Sequence, residues 1–496
     1  MKKHAFNPFL PLDVYIPDGE PHVFGDRVYL FGSHDRENGD TFCELPYMVY
    51  SAPLEDLSQW TTPGISYDAS QDPLCEKEKG YLYAPDVVQG NDGRFYLYYC
   101  ISGVKGQGGY ANPISVAVCN KPDGKYEYLG QVRDKSSRPL MRYICFDPAV
   151  INDQGIIRLY YGACYPFEEH DEYPREKILA AEAMVFHRPM EEITAAPDGI
   201  MGAMTVELAD DMLTAVTAPK RIIPTNTKGT AFYGHQFYEG SSIRKVGNKY
   251  YFIYSSWLNH ELCYATSDFP DQGFEFGGTI VSNGDVGYHG RKAEDRINAT
   301  GTTHGSIEQI NGQWYVFYHR QTHACDYSRQ ACAERITILP DGTIPQVEMT
   351  SCGLNNAPLK AEGTYPAVIC CNLTNGHMPH GSNKKQEERI PCITSRDGER
   401  FVGNVENGTW IGYKYFCFSG PAVLSVVIRG QSNGNLKVCR EMGKNPLVSI
   451  PITPSETWQN LSAEVAFPEE EASLFFLYEG EGEIDILKFS FAAQVY

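Results

Sequence analysis

A chain of 496 residues is longer than a single hydrophobic core usually grows, so two domains are expected. Its 62 acidic residues against 42 Lys and Arg leave a formal charge of -20, which disfavours a nucleic-acid backbone or an anionic membrane as partner and suits a neutral ligand. With 33 Tyr, 46 Gly and 42% hydrophobic residues, the composition favours short strands and tight turns, hence an all-β fold.

The first residues, "MKKHAFNPFLPLDVYIPDGE", are interrupted by Pro8, Pro11 and Pro17 before any apolar targeting segment can form, and no later stretch is apolar enough to span a bilayer. A cytoplasmic location is expected. The 15 cysteines are odd in number and include no C-x-x-C pair, which points to reduced, mostly buried thiols.

Along the chain a pattern then recurs. "GDRVYLFGSH" begins at Gly25, "NDGRFYLYYC" at Asn91, "DQGIIRLYYG" at Asp153, "VGNKYYFIYS" at Val246 and "INGQWYVFYH" at Ile310. Each is a Gly-containing turn followed by alternating apolar and aromatic residues, the signature of the second strand of a hairpin. Each is preceded by a short lead segment: "DGEPHVF" at Asp18, "APDVVQG" around Asp86, "FDPAVIND" around Asp147, "YEGSSIRKV" around Glu239 and "THGSIEQI" around His304. The spacing of 61 to 92 residues between leads is too irregular for a solenoid but suits four-stranded units with loop insertions. Five copies arranged radially predict a five-bladed β-propeller over residues 1–347.

From Thr350 to about Gln386 the pattern is lost, and a domain boundary is expected there. Beyond it, "WIGYKYFCF", "AVLSVVIRG", "GNLKVCR", "LVSIPI", "SLFFLYE" and "IDILKFSF" alternate as strands of a β-sandwich, so residues 348–496 read as a linker and a second domain.

In a propeller the inner strand of every blade starts near the axis, so residues leading different blades converge on one mouth of the channel. Asp18, Asp147 and Glu239 then become neighbours, although each alone would pass for an ordinary turn or strand-entry residue. Gathered carboxylates beside aromatic walls suit glycoside hydrolysis. One protonated acid serves the leaving oxygen, one carboxylate activates water, and a third raises the pKa of the acid by like charge.

The combination of "DGEP", "FDPAVINDQG", "YEGSSIRKVGNKYYFIYS" and "THGSIEQINGQWYVFYHR" resembles glycoside hydrolase family 43 over roughly residues 7 to 345. The resemblance implies an inverting enzyme with Asp18 as general base, Glu239 as general acid and Asp147 orienting the acid and setting its pKa. It implies that Asp86 and Tyr83 line the sugar pocket, that Arg329 contacts the sugar with Arg320 as a secondary candidate, and that His304 faces a channel ion, often calcium. For Asp86 a blade-stabilising hydrogen bond is an equal alternative, and for His304 a satisfied core position. Gly19, where relatives have Pro, and Tyr83, where many have Trp, leave the identity of the sugar open.

The last 140 or so residues are similar to a family 6 carbohydrate-binding module, with a purely structural role as the alternative. The activity expected is exo-acting release of terminal pentose, α-L-arabinofuranose ahead of β-D-xylose, from plant-derived oligosaccharides. Three alternatives stand beside it: a related glycosidase taking galactofuranose, a fructose-releasing invertase-type enzyme, and a sugar-binding propeller without activity. The invertase group carries "RDP" where this chain has "FDP" at Phe146.

Overall fold

The computed structural model describes residues 5–75, 80–106, 108–165, 174–195, 199–381 and 389–493. Five separate antiparallel sheets account for the first two thirds of the chain. Their inner strands are Glu20–Phe24, Tyr81–Gln89, Ala149–Asp153, Phe237–Val246 and Ser306–Ile310, each the expected lead segment. These five strands pack side by side in a closed ring, the first against the fifth. Each pairs with its aromatic strand across the Gly turn, as Gln309 pairs with Trp314 and Tyr96 with Val88. The fold is a five-bladed propeller.

The aromatic strands are buried because the blades stack face to face. Tyr98, Tyr99, Tyr160, Tyr251 and Tyr254 are all essentially inaccessible, and each ring of this size contributes roughly 2–3 kcal/mol of burial. Their hydroxyls find partners; Tyr99, for example, donates to Asp72 at 2.6 Å.

The ring is closed by the start of the chain. Asn7 acts as a two-way clip on the last blade, accepting from the backbone N–H of Ala333 at 2.9 Å and donating to its carbonyl at 2.9 Å. Phe9 then donates its N–H to Ala331 and packs against Phe317.

The second domain is a sandwich of two six-stranded sheets. In Ala422–Gly430, Leu424, Val426 and Ile428 point inward and Ser425, Val427 and Arg429 outward, the period-two pattern of a half-buried strand. Phe416, Phe489, Phe491 and Tyr413 meet in its core. The segment after Thr350, patternless in sequence, contributes three short strands to it: Leu359–Lys360, Gly363–Pro366 and Asn372–Thr374. They pair with longer neighbours, so tertiary pairing supplies the order that local periodicity lacks. All fifteen cysteines are free thiols, and most are buried.

Candidate active site

Asp18, Asp147 and Glu239 lie around one pocket at the mouth of the channel, with Tyr83, Phe146, Tyr110, Tyr238, Phe42, Cys43, His304 and Arg329 completing its wall. Its volume is about 130 Å³, well below the ~300–1,000 Å³ of sites for drug-sized ligands, so it suits a single small ring.

Local backbone geometry aims the three carboxylates. Asp18 and Asp147 both adopt left-handed conformations, with φ of 57° and 42°. Such a conformation costs about 1–2 kcal/mol in a non-glycine residue, and Asp tolerates it better than most. Glu239 sits on a bulge at the start of its strand, where the register with Ser255 is interrupted on both sides and the side chain is turned toward the mouth. Gly240 follows at φ 74°, and a Cβ there would meet the His304 ring at 3.2 Å. Its free N–H donates to Asp147 Oδ2 at 2.8 Å, tying the second carboxylate to the strand that carries the third.

The three groups have different electrostatic surroundings. Burial alone would push Asp18 up, but the Arg329 guanidinium, donating to Oδ1 at 2.8 Å, overrides it and leaves the carboxyl below its ordinary range. Arg329 is itself gripped by Asp35 through two charge-assisted bonds of 2.8 and 3.0 Å and lies 4.6 Å over the Phe42 ring. The backbone N–H of Asp18 donates to His319 Nδ1 at 3.1 Å, while the opposite ring nitrogen lies 2.9 Å from the Thr302 carbonyl. This arrangement suits a neutral imidazole, and burial holds the His319 pKa down to about 3.

Glu239 has no cation within ion-pairing distance among the described residues. Burial is the main cause that pushes its pKa up, to about 7, reinforced by the charge of Asp18 and opposed by the Tyr110 hydroxyl, which donates to Oε2 at 3.0 Å. Asp147 is raised well above its ordinary value, first by burial and then by the charges of Glu239 and Asp18.

His304 faces the site with Nδ1, 3.9 Å from Asp147 and 4.0 Å from Asp18. Its Nε2 points down the channel to Glu20 Oε1, 4.0 Å away, and both atoms are buried without a hydrogen-bond partner. Two facing unsatisfied acceptors with His22 and Asp86 close by are a donor set that a small divalent cation with its water would satisfy. Glu20 is already paired there, since Arg244 donates to its Oε2 at 2.9 Å, and His22 lies 2.6 Å from Asp86.

Two expected pocket residues lie elsewhere. Asp86 is fully buried in the channel wall, accepting from the backbone N–H of Val87 and of Val150, each at 2.7 Å, and so stitches the second blade to the third. A bulge between Tyr83 and Asp86 turns Tyr83 to the pocket and Asp86 away from it. Arg320, expected at the sugar, also lies outside the pocket: it is adjacent to His319 on a strand, where successive side chains face opposite ways. His319 therefore faces Asp18, while Arg320 is buried against the sandwich, donating to the carbonyls of Cys370 and Cys371.

Sequence reasoning did not single out Asp35, Phe42, Tyr110, Tyr238 or His319. Phe42 and Tyr110 come from loops without any repeat signal, whereas His319 is legible from the two-residue period of its strand, one position before Arg320.

Comparison with known proteins agrees with this fold. The glycosyl hydrolases family 43 pattern matches residues 7–182. A xylosidase/arabinosidase of Thermoclostridium stercorarium is 40% identical over 505 residues, covering 99% of each chain. Among solved structures, the Xanthomonas citri GH43_1 enzyme complexed with xylose shares the fold, with a TM-score of 0.51 at 24% identity over 72% of this chain and 96% of that one. A GH43 β-xylosidase/α-arabinofuranosidase from a compost microbial metagenome, in complex with xylotriose and in a calcium-free form, gives 0.50 at 23% identity over 70% and 98%. The chain belongs to glycosyl hydrolase family 43 and is a glycoside hydrolase.

Proposed function

We propose that the enzyme removes one terminal pentose, α-L-arabinofuranose or β-D-xylose, from short plant-derived oligosaccharides with inversion at the anomeric carbon. The observation that carries the mechanism is the separation of proton states: one carboxylate held ionised by Arg329 and another, Glu239, held protonated near neutrality by burial, at the same small pocket. Glu239 gives its proton to the departing glycosidic oxygen as the bond to the anomeric carbon breaks. Asp18 takes a proton from the water that attacks the opposite face. Asp147, fixed by the Gly240 N–H, ties the third blade to the strand that carries Glu239. Tyr83, Phe146 and Tyr238 supply apolar and aromatic walls for a sugar ring.

The small pocket favours removal of a terminal unit over cleavage within a chain. The choice of pentose is supported by the xylosidase/arabinosidase of Thermoclostridium stercorarium, which matches this chain from end to end. A channel cation such as calcium would be held by His304 and Glu20, where it would supply fixed positive charge beneath the three carboxylates. The deciding experiment is a panel of aryl α-L-arabinofuranosides, β-D-xylosides and galactofuranosides, with proton NMR of the first-formed sugar. Inverted arabinose or xylose is expected. Retained configuration would overturn the assignment of Asp18 as base, and turnover of the galactofuranoside alone would overturn the choice of sugar.

A further inference from the structure

Where the sandwich meets the propeller, four polar side chains from four chain segments converge. Tyr15, Glu37 and His323 belong to the propeller, and Arg400 to the sandwich strand Glu399–Val405. Arg400 Nη2 donates to Glu37 Oε2 at 2.7 Å. Glu37 Oε1 lies 3.6 Å from His323 Nε2, which is 3.3 Å from the Tyr15 hydroxyl. Tyr15 and His323 are buried, whereas the Glu37 and Arg400 side chains keep 23% and 21% exposure.

Each propeller member of this group is close in the chain to something that fixes Asp18. Tyr15 precedes Asp18 by three residues, and its carbonyl accepts from the Asp35 N–H at 2.9 Å. Glu37 follows Asp35, the residue that grips Arg329, by two positions in the same loop. His323 follows His319, which accepts the Asp18 N–H, by four. Neighbouring contacts run the same way: Asn38 N–H donates to Ser328 Oγ beside Arg329 at 2.7 Å, and the sandwich residue Ile393 donates its N–H to the Thr322 carbonyl at 2.9 Å. The three segments that immobilise the base are all connected to one guanidinium from the other domain.

We propose that Arg400 is a positioning residue for hydrolysis, through which the sandwich holds the Asp18 corner in its working geometry. The proposal rests on the reading of Asp18 as the group that takes the proton from water. Simple adhesion between domains is the competing account. The two accounts differ in kinetics. Without Arg400, Glu37 loses its cation and its loop loses an anchor, and that loop carries Asp35 and, through it, Arg329. Phe146, Tyr83 and Tyr238, which line the sugar pocket, come from blades two to four and are not anchored this way. Displacement of the base therefore lowers kcat more than it raises KM, although Phe42 and Arg329 of the pocket wall share this corner.

The test measures kcat and KM of Arg400→Ala, Arg400→Lys and Glu37→Gln on whichever aryl glycoside the unmodified enzyme cleaves, with nitrophenyl and dinitrophenyl leaving groups. Arg400→Ala is expected to lose about 10-fold in kcat, within the range that a small misplacement costs, with KM changed less than about twofold and the same loss for both leaving groups. Arg400→Lys should recover most of it. Glu37→Gln removes the same ion pair from the propeller side and should show the same pattern, which preserves the test if Arg400→Ala does not fold. Full kcat in both Arg400→Ala and Glu37→Gln, or a loss confined to KM or to melting temperature, would overturn the proposal. An Asp18→Asn control separates the two readings: if its loss depends on the leaving group, the assignment of Asp18 itself has failed, whatever Arg400 does.

Discussion

The Asp18 and Glu239 corners of one pocket are made of the same chemistry, a buried carboxyl group, and end in opposite protonation states. At Asp18 the second layer is a guanidinium held by Asp35 and a neutral imidazole accepting the backbone N–H. At Glu239 it is a phenol and aromatic rings, with the Tyr110 ring tilted against Phe146 at 4.1 Å between centroids. Burial pushes both groups toward the neutral form, and only a cation at contact distance reverses that push. Proton state is therefore assigned by the residue behind the carboxylate, and the proposed roles of acid and base follow from it.

The most damaging way to break the comparison is to remove each corner in turn. Asp18→Asn should lose on the order of 10³-fold or more in kcat/KM on both natural oligosaccharides and dinitrophenyl glycosides, because no leaving group relieves the need to activate water. Glu239→Ala should lose about 10²- to 10⁴-fold on an oligosaccharide and keep much of its rate on a dinitrophenyl glycoside, whose departing oxygen needs little protonation. Steady-state kinetics of both variants on both substrates checks the pair. Equal losses for Glu239→Ala on good and poor leaving groups would make the two corners functionally alike.

A smaller perturbation sharpens the contrast through pH. Glu239 must be protonated to act, so kcat/KM should fall as pH rises through about 7, while Asp18 must be ionised, so activity should fall only at acid pH. Tyr110→Phe removes a hydrogen bond that favours the ionised carboxylate, so the Glu239 pKa rises and the alkaline limb should move up by about 0.5–1 unit. Profiles of kcat/KM over roughly pH 4 to 9 would show the shift, and an alkaline limb that stays in place would contradict Tyr110 as the partner of Glu239.

The smallest expected effect concerns the channel floor that the two corners share. Calcium should raise the melting temperature by a few degrees, on the order of 2–5 °C, and chelation should reverse it. His304→Ala should abolish the response, as followed by thermal unfolding with and without the ion. A full response in that variant would place the ion elsewhere.

Much of this arrangement was legible beforehand because the repeat unit is short and local. A Gly turn between alternating strands is written in consecutive residues, so five such units could be aligned, and their lead residues fell at equivalent places in space. Asp86 shows where equivalence fails. It leads its blade as Asp147 does, but the bulge before it sends the side chain into the wall, and bulges leave no reliable mark in one sequence. Arg320 shows a second limit: which face of its strand would be covered depended on where the sandwich docks.

Sequence by itself determined the all-β class, the five hairpin units and the three carboxylates, because turn chemistry and period-two alternation act over a few residues. Only the tertiary structure decided which carboxylate keeps its proton. That depends on Arg329 reaching Asp18 from 311 positions away, and on Tyr110 reaching Glu239 from 129 positions away. Separations of that length are closed by the ring of blades and the docked sandwich, and no local pattern encodes them.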